Sequence, residues 1–204
     1  IPAEPLFRSE TIADYFGLVG SQPLVPIEDT AAAHPVGLGR VGRLPEPITL
    51  KDFAQRVFDE VSDHGMVTAL GIQMCGDPEA LVRRIAILPG SGDSLFNEVR
   101  ATGADVYVTS DLRHHPVTDA IEQARYEARM RGQGIALGQG ESGDGHVRPY
   151  FINTPHAAIE SMWFNYALED VPVAVERATG SRPEVEWFRD TTDPWTLSIT
   201  SRQD

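Results

Sequence analysis

Residues 104–116 bring together the side chains of this sequence that are best suited to chemistry. Val106-Tyr107-Val108 is a short apolar run, a pattern that predicts a buried strand of a parallel sheet. Ligands bind at the carboxyl ends of such strands in open α/β sheets. Polar side chains crowd that end here, which suggests a metal or phosphate pocket: Thr109, Ser110, Asp111, His114 and His115. The same residues also fit an N-capped turn that leads into a helix starting at Pro116.

A second candidate cluster follows a later strand. Thr154-Pro155 predicts a helix start with Thr154 as the N-cap, and His156 and Glu160 then lie one turn apart on the same helical face. An imidazole and a carboxylate together suit zinc, iron or manganese. Exposed helices often carry such a pair by chance. This helix, however, begins directly after a strand, as the first cluster does, and in a parallel sheet both clusters would open on one edge.

The composition limits the classes of function. The chain has 204 residues and a formal net charge of -13, which argues against a broad nucleic-acid surface because phosphate binding needs clustered Lys and Arg. Cys75 is the only cysteine, so a disulfide within the chain and a zinc site built from thiolates are both excluded. No apolar run approaches the roughly 20 residues of a membrane span, and no signal peptide is visible. We therefore expect a cytoplasmic protein that handles cations or small molecules.

Two glycine-rich segments are candidates for binding phosphate or another anion. Gly37-Leu38-Gly39-Arg40-Val41-Gly42 lies in a stretch predicted to be a loop, residues 28–47, and without a strand–turn–helix context it is better explained as a tight connection or bulge. Gly90-Ser91-Gly92 separates a predicted strand from a predicted helix. Its backbone N–H groups are placed to bind an anion or polar ligand. It also fits a tight turn with Asp93 or Ser94 as N-cap.

The pattern of apolar residues predicts alternating helices and strands. Thr49 followed by Asp52 resembles a capping box at the start of an amphipathic helix. Helices are predicted at 9–20, 50–63, 95–102, 117–130, 154–170 and 172–179, and strands at 23–27, 66–73, 82–88, 105–108, 150–153, 184–189 and 195–200. This order predicts an α/β fold with a mixed, mainly parallel sheet and flanking helices, in which the strands at 82–88 and 105–108 are adjacent and parallel. We expect Asp111, His115 and Glu160 to face one pocket at the strand ends.

Together these motifs resemble one known family. Five of them occur in the order and at about the spacing found there: residues 37–42, the turn at 90–92, residues 104–111 with His115, His156-x-x-x-Glu160, and the closing Thr192-Asp193-Pro194-Trp195-Thr196-Leu197. The chain is thereby similar to the NIF-three-like dinuclear metal-centre family, whose members are also called GTP cyclohydrolase 1 type 2 homologues. Its ending looks like that of the actinobacterial branch. The resemblance covers nearly the whole chain.

The resemblance implies a fold of two similar α/β halves packed around a two-metal site and assembled as a ring-shaped homohexamer. The family's N-terminal half, with its His-His pair and its Asp ligand, is missing. Residues 1–36 would then be the remnant of that half and a linker, and residues 37–204 the C-terminal α/β metal-binding half. The sequence begins without an initiator Met, which suggests a fragment or a processed chain.

The resemblance also assigns site residues. The family's H-x-x-x-E motif falls on His156 and Glu160, which would hold divalent metal ions (zinc, iron or manganese, two per site in the intact family protein). Its T-G-D strand end corresponds to residues 109–111, with Ser110 in place of glycine. Asp111 and His115 would line the pocket rather than hold metal.

Two functional classes remain open from the sequence. In the first, the protein is a dinuclear-metal-dependent hydrolase of a small, nucleotide-like substrate, with metal on His156 and Glu160 and with Asp111 or His115 transferring a proton. In the second, it is a metal-binding oligomeric scaffold or a partner-binding protein without catalysis of its own. A half-protein with an empty site is a third interpretation. Neither nucleic acid nor a membrane is expected as a partner.

Overall fold

One six-stranded sheet organises the computed structural model, which describes residues 8–28, 35–137 and 145–199. The strands are β1 (Val19–Ile27), β2 (Val36–Thr49), β3 (Gln73–Cys75), β4 (Leu81–Ser91), β5 (Val106–Ser110) and β6 (Tyr150–Thr154). Their order across the sheet is β1-β2-β4-β5-β6-β3. The central strands β4, β5 and β6 are parallel, and the three outer pairings are antiparallel. The predicted α/β fold with a mixed sheet is confirmed, and its parallel part is the centre.

Helices cover both faces of this sheet. They are α1 (Arg8–Tyr15), α2 (Leu50–His64), α3 (Phe96–Thr102), α4 (His114–Gly132), α5 (His156–Ser161) and α6 (Phe164–Thr179), with a 3-10 turn at Asp93–Leu95. Residues of α1, α2 and α5 share one core cluster with one face of the sheet, and residues of α3 and α4 share a second cluster with the other. No helix within the described ranges is long and apolar enough to span a bilayer.

Burial on both faces explains why β5 is apolar at successive positions. Val106 and Val108 belong to the first core cluster, and Tyr107 between them belongs to the second. A strand covered on both sides has no solvent-facing positions to fill with polar residues. The predicted parallel pairing is also confirmed, since Ile85 of β4 lies opposite Val106 and Ile87 opposite Val108.

The helix predicted at 50–63 is confirmed as α2, together with its cap. Thr49 Oγ1 accepts a hydrogen bond from Asp52 N at 3.1 Å, as an N-cap does. Phe53 of α2 is fully buried in one core cluster with Ile12 of α1, and it meets Phe16, which directly follows α1, edge to face with ring centroids 6.3 Å apart. α1 therefore packs in the same core as the later elements. The division predicted at residue 36 stays a prediction.

β2 contains the first glycine-rich run, so the loop predicted over 28–47 is wrong over the range of that strand. β2 pairs with β1 on one side and β4 on the other, and at two of its glycines, Gly37 and Gly39, neighbouring backbone leaves no room for a side chain. A Cβ at Gly37 would lie 2.1 Å from Val25 O, and one at Gly39 would lie 2.5 Å from Ile87 O. Glycine here permits close strand pairing rather than a turn.

Two further boundaries differ from the prediction. Residues 66–72 form no strand, and the strand in this region is limited to β3, which pairs with β6. The helix predicted to reach residue 170 ends at Ser161, after which α6 continues through Pro172. Asn165 stabilises the break between the two helices, because its Nδ2 donates to His64 O and to Met162 O, at 2.9 Å each.

The two strands predicted near the C-terminus are wrong in their described parts, 184–189 and 195–199, which form no strand. In the first of them, residues 184–188 alternate between exposed and half-buried without any strand pairing. Trp187 is half-buried, with its ring centroid 5.4 Å from that of Phe164 in α6, whereas Phe188 is exposed. Alternation alone does not distinguish such a segment from a hydrogen-bonded strand.

Candidate functional site

The two polar clusters of the sequence meet at one edge of the sheet. β5 and β6 are parallel neighbours with Ser110 opposite Thr154, so both strands end on the same side. Asp111 follows β5 directly, and His156 begins α5 two residues after β6. The buried hydroxyls of Ser110 and Thr154 are hydrogen-bonded at 3.0 Å, and Thr154 also donates to Thr109 O at 3.2 Å. Thr154 thus joins the strand ends, and its predicted role as N-cap of α5 is wrong.

His156 lies between two carboxylates. Its Nδ1 is 2.6 Å from Asp111 Oδ2, and its Nε2 is 3.1 Å from Glu160 Oε2. The pair predicted at His156 and Glu160 is formed, and Asp111 joins it from the neighbouring strand end. All three side chains are partly exposed, so solvent or a ligand can reach them.

The protonation of the imidazole constrains what this arrangement can bind. A neutral imidazole carries a single N–H. If Nδ1 of His156 donates to Asp111, the lone pair of Nε2 faces the carboxylate of Glu160, and the two repel each other. A second ring proton removes this repulsion, and so does a cation held between Nε2 and the carboxylate. The site is therefore chemically suited to a cation.

Asp111 holds an unusual backbone conformation at this site. Its φ is +55°, and no other non-glycine residue in the described ranges has a positive φ. An L-residue in the left-handed region is strained by about 1–2 kcal/mol, although Asp tolerates it better than most. Residues held in such conformations cluster at functional sites. Here the strained residue is the one that contacts His156.

The end of β4 forms a third side of the site. A Cβ at Gly90, whose φ is +98°, would lie 2.8 Å from Glu160 Oε1 and 3.7 Å from His156 Cε1. The positive φ favours glycine at this position, and the missing Cβ leaves room for the Glu160 carboxylate beside the backbone of β4. Thr109 Oγ1 donates to Gly90 O at 2.8 Å and fixes that approach.

The glycine-rich turn after β4 is tightly packed. A Cβ at Gly92 would lie 2.2 Å from both Tyr107 Oη and Thr109 Oγ1. Tyr107 donates to Gly92 O at 3.0 Å, and burial raises the pKa of Tyr107, so that it remains a donor. Neither Asp93 nor Ser94 caps the helix that follows, contrary to prediction.

A cleft of about 460 Å³ opens beside His156. Asp111 and His156 line one part of it, and Asp193 and Trp195 of the C-terminal segment line another. Asp193 anchors that segment, because it accepts hydrogen bonds from Thr68 Oγ1 and from Trp195 N, the latter at 3.1 Å. The volume lies in the range of small-molecule binding sites.

Comparison with known proteins agrees with the family resemblance. The family model for Duf34/NIF3 (NGG1p interacting factor 3) matches residues 8–128, more than half of the chain. This chain belongs to the Duf34/NIF3 family. A Streptomyces coelicolor protein named GTP cyclohydrolase 1 type 2 homolog is 35% identical to it over 193 residues, which is 95% of this chain and 58% of that protein. A protein of the same name from Mycobacterium tuberculosis is 33% identical over 168 residues, or 82% of this chain and 36% of that protein.

The NIF3-family chain thus spans less than two thirds of either relative, both of which are actinobacterial. Among solved structures, a Bacillus cereus protein related to NIF3 superposes with a TM-score of 0.66 at 15% identity, covering 93% of this chain and 69% of that one. A Staphylococcus aureus protein gives a TM-score of 0.64 at 18% identity, covering 93% and 64%. At these identities the likeness concerns the fold alone.

Of the residues predicted to face one pocket in this NIF3-family chain, Asp111 and Glu160 both contact His156, whereas His115 contacts His114. α4 begins at His114, earlier than predicted, and the rings of His114 and His115 contact each other with centroids 5.3 Å apart. Within the described ranges, neither ring forms a hydrogen bond or ion pair with Asp111, His156 or Glu160.

The donor set fits part of a metal site. His156 and Glu160 offer an imidazole nitrogen and a carboxylate oxygen at adjoining positions, whereas Asp111 binds the opposite side of the imidazole. In the described part of the chain, no group of three or more His, Cys, Asp and Glu side chains is placed to hold a metal ion. Zinc sites in proteins use at least three protein ligands. The remaining ligands would therefore come from outside the described residues.

Sequence reasoning missed two parts of the site. It noted Gly90 and Asp193-Pro194-Trp195 as motifs but did not place either beside His156. The Asp-Pro-Trp sequence does carry a local signal, because an Asp side chain readily accepts from the backbone N–H two residues on. Nothing local indicates that this turn lies against the strand ends, since that depends on the contact between Thr68 and Asp193.

Proposed function

We propose that this chain is the metal-binding part of a metal-dependent hydrolase that acts on a small, nucleotide-like substrate. His156 and Glu160 are the proposed ligands of a divalent metal ion, zinc, iron or manganese. The observation that carries the proposal is the position of His156 between two carboxylates, beside a cleft of small-molecule size. Self-assembly into a homohexamer and a cytoplasmic location are part of the same proposal.

Each residue of the site has a distinct role in this proposal. Asp111 accepts from the Nδ1–H of His156, which leaves Nε2 with its lone pair directed toward Glu160. A divalent metal, when bound there, supplies an acidified water and polarises a substrate oxygen. Asp111 also lines the cleft, so its second oxygen is placed to accept a proton from water or substrate. This geometry favours Asp111 over His115 as the proton-transfer group.

The name shared by the relatives supports the substrate class. Those proteins are called GTP cyclohydrolase 1 type 2 homologs, and a cyclohydrolase opens a ring by hydrolysing one of its bonds. Because the chain spans 58% and 36% of those two proteins, the activity of a whole relative comes to this chain only as a proposal.

A second candidate function is that of a metal-binding oligomeric scaffold or partner-binding protein without catalysis. The observation that favours it is a set of exposed apolar side chains on the C-terminal segment: Phe188, Leu197 and Ile199 are 75%, 73% and 88% exposed. Grouped exposed apolar side chains are typical of surfaces that bind another chain. A second copy of this chain is the partner that the proposed hexamer requires.

Metal-dependent turnover tests the first proposal. The purified protein, stripped with a chelator and reloaded with Mn, Fe or Zn, is assayed on nucleotides, pterin precursors and phosphoesters. We expect turnover that requires metal and falls to background in His156→Ala and in Glu160→Ala, because each change removes a ligand.

The pair formed by Glu60 and His64 provides a matched control. It has the same spacing on a helix, with His64 Nε2 3.3 Å from Glu60 Oε2, but it is not part of the cleft. Glu60→Ala should leave metal content and turnover unchanged. Metal binding that depends on His156, without turnover of any of these substrates, would favour the scaffold instead.

A further inference from the structure

We infer that the cleft beside His156 binds ligands that contain a planar, uncharged nitrogen heterocycle with N–H donors, and that this ring stacks on Trp195. If the proposed hydrolase function holds, a ligand of this class is its substrate, and to that extent the inference rests on the proposed function. The binding itself is a property of the cleft and can be measured without turnover.

The charge of the cleft disfavours an anionic ligand. Its lining in the described structure includes the carboxyl side chains of Asp111 and Asp193 and contains neither Lys nor Arg. Proteins hold phosphate mainly with Arg, Lys and backbone N–H groups. The formal net charge of -13 adds a repulsive field over the whole chain. The part of a ligand that this cleft recognises is therefore uncharged or cationic.

Trp195 provides a stacking surface at a fixed position. Its side chain is 62% exposed although it lines the cleft, so an indole face is available to a ligand. Its backbone is held through Asp193: Trp195 N donates to Asp193 Oδ1, and Thr68 Oγ1 donates to the other oxygen of Asp193. Pro194 restricts the backbone between them. Aromatic side chains that are held in place stack well on heterocyclic bases.

The hydrogen-bonding groups of the cleft favour a ligand that donates. Asp111 Oδ2 is occupied by His156, whereas Asp111 Oδ1 accepts no side-chain hydrogen bond from the residues that the structure describes. Asn153, also in the lining, uses part of its hydrogen-bonding capacity within the protein, since it donates to Gln73 Oε1 at 3.0 Å and accepts from Leu112 N at 3.1 Å. The carboxylate of Asp111 is then the group that selects for ring N–H donors.

Calorimetric titration of the full chain, with EDTA present to exclude metal, tests the inference. The probes are guanosine, a planar ring with N–H donors; caffeine, a planar ring without them; and inorganic phosphate. We expect guanosine to bind more tightly than caffeine and phosphate not to bind. Trp195→Ala should weaken guanosine binding roughly 5- to 150-fold, the range expected for loss of one stacking partner.

Two further variants distinguish the loss of stacking on Trp195 from a structural change in the C-terminal segment. Trp195→Phe keeps an aromatic face and should restore most of the affinity. Thr196→Ala changes an exposed side chain of the same segment that does not line the cleft, and it should leave guanosine binding unchanged.

The outcomes distinguish this inference from the proposed function. Equal guanosine affinity in the original protein and Trp195→Ala would overturn the inference, as would absence of guanosine binding or tighter binding of phosphate than of guanosine. If Trp195-dependent binding is found but no metal-dependent turnover, the inference about the cleft stands and the hydrolase proposal fails.

Discussion

At the scale of residues, a His and a Glu one helical turn apart do not identify a metal site. The described part of the chain has two such pairs, Glu60 with His64 and His156 with Glu160. The second differs because Asp111 contacts the other nitrogen of its imidazole at 2.6 Å. A carboxylate in that position fixes the tautomer of a ligating histidine and raises its basicity. Asp111 is therefore the residue that distinguishes the two pairs.

The strain at Asp111 permits a test that separates its functional role from its structural one. Asp111→Gly relieves the positive φ of +55°, so we expect the free energy of unfolding to stay the same or rise by about 1 kcal/mol. The same change removes the partner of His156 Nδ1. Metal affinity should therefore fall by roughly 10- to 100-fold, as for other groups that orient a ligand.

Urea denaturation and metal titration measure these two effects on one sample of Asp111→Gly. Asp111→Asn is the conservative comparison, because Asn also tolerates a positive φ and keeps an oxygen acceptor without the charge. It should retain an intermediate metal affinity. Unchanged affinity in both variants would show that Asp111 does not position His156.

At the scale of elements, the sequence predicted the parts of the fold that depend on local pattern. The helix at 50–63 and the strand at 105–108 follow from helical spacing and from a short apolar run, and both are confirmed as α2 and β5. The errors arise where distant contacts decide the structure. Gly37 and Gly39 form a strand only because β1 and β4 lie on either side of it.

For the candidate site as well, the sequence predicted what depends on local spacing and missed what depends on distant contacts. His156 and Glu160 lie on one helix, so their contact follows from spacing alone, and the parallel order of β5 and β6 accounts for Asp111. The position of Trp195 was not predictable, because a side-chain contact between Thr68 and Asp193, which are 125 residues apart, decides it.

The role of glycine in β2 can be measured with a matched pair of variants. Gly20 and Gly39 have nearly the same φ, +62° and +60°, but nothing lies within 4 Å of a Cβ at Gly20, whereas Ile87 O would lie 2.5 Å from one at Gly39. Gly20→Ala should lower the free energy of unfolding by about 1–2 kcal/mol, from the left-handed backbone alone. Gly39→Ala should lower the free energy of unfolding by about 1–3 kcal/mol more than Gly20→Ala does, because the added methyl group overpacks the strand. Equal urea midpoints for the two variants would contradict this account of β2.

At the scale of the whole molecule, the described part of the site holds two candidate metal ligands. The described residues bring His156 and Glu160 together without a third ligand that converges on them, and the chain spans 58% of its Streptomyces coelicolor relative. Both facts fit a site that is completed by further residues of a longer protein or by a neighbouring copy of the chain.

Metal affinity is the property of the whole molecule that tests this view. Two protein ligands rarely hold zinc or manganese tightly. The 204-residue chain should therefore bind either metal with a Kd above about 1 μM, which is much weaker binding than that of structural zinc sites. Calorimetric titration should show that the weak binding is lost in both His156→Ala and Glu160→Ala. Binding should also weaken on acidification, because protons compete with metal for the imidazole and the carboxylate. Sub-micromolar binding that survives both substitutions would place the metal elsewhere, and the adjacent imidazoles of His114 and His115, 5.3 Å apart between ring centroids, would be the first alternative to test.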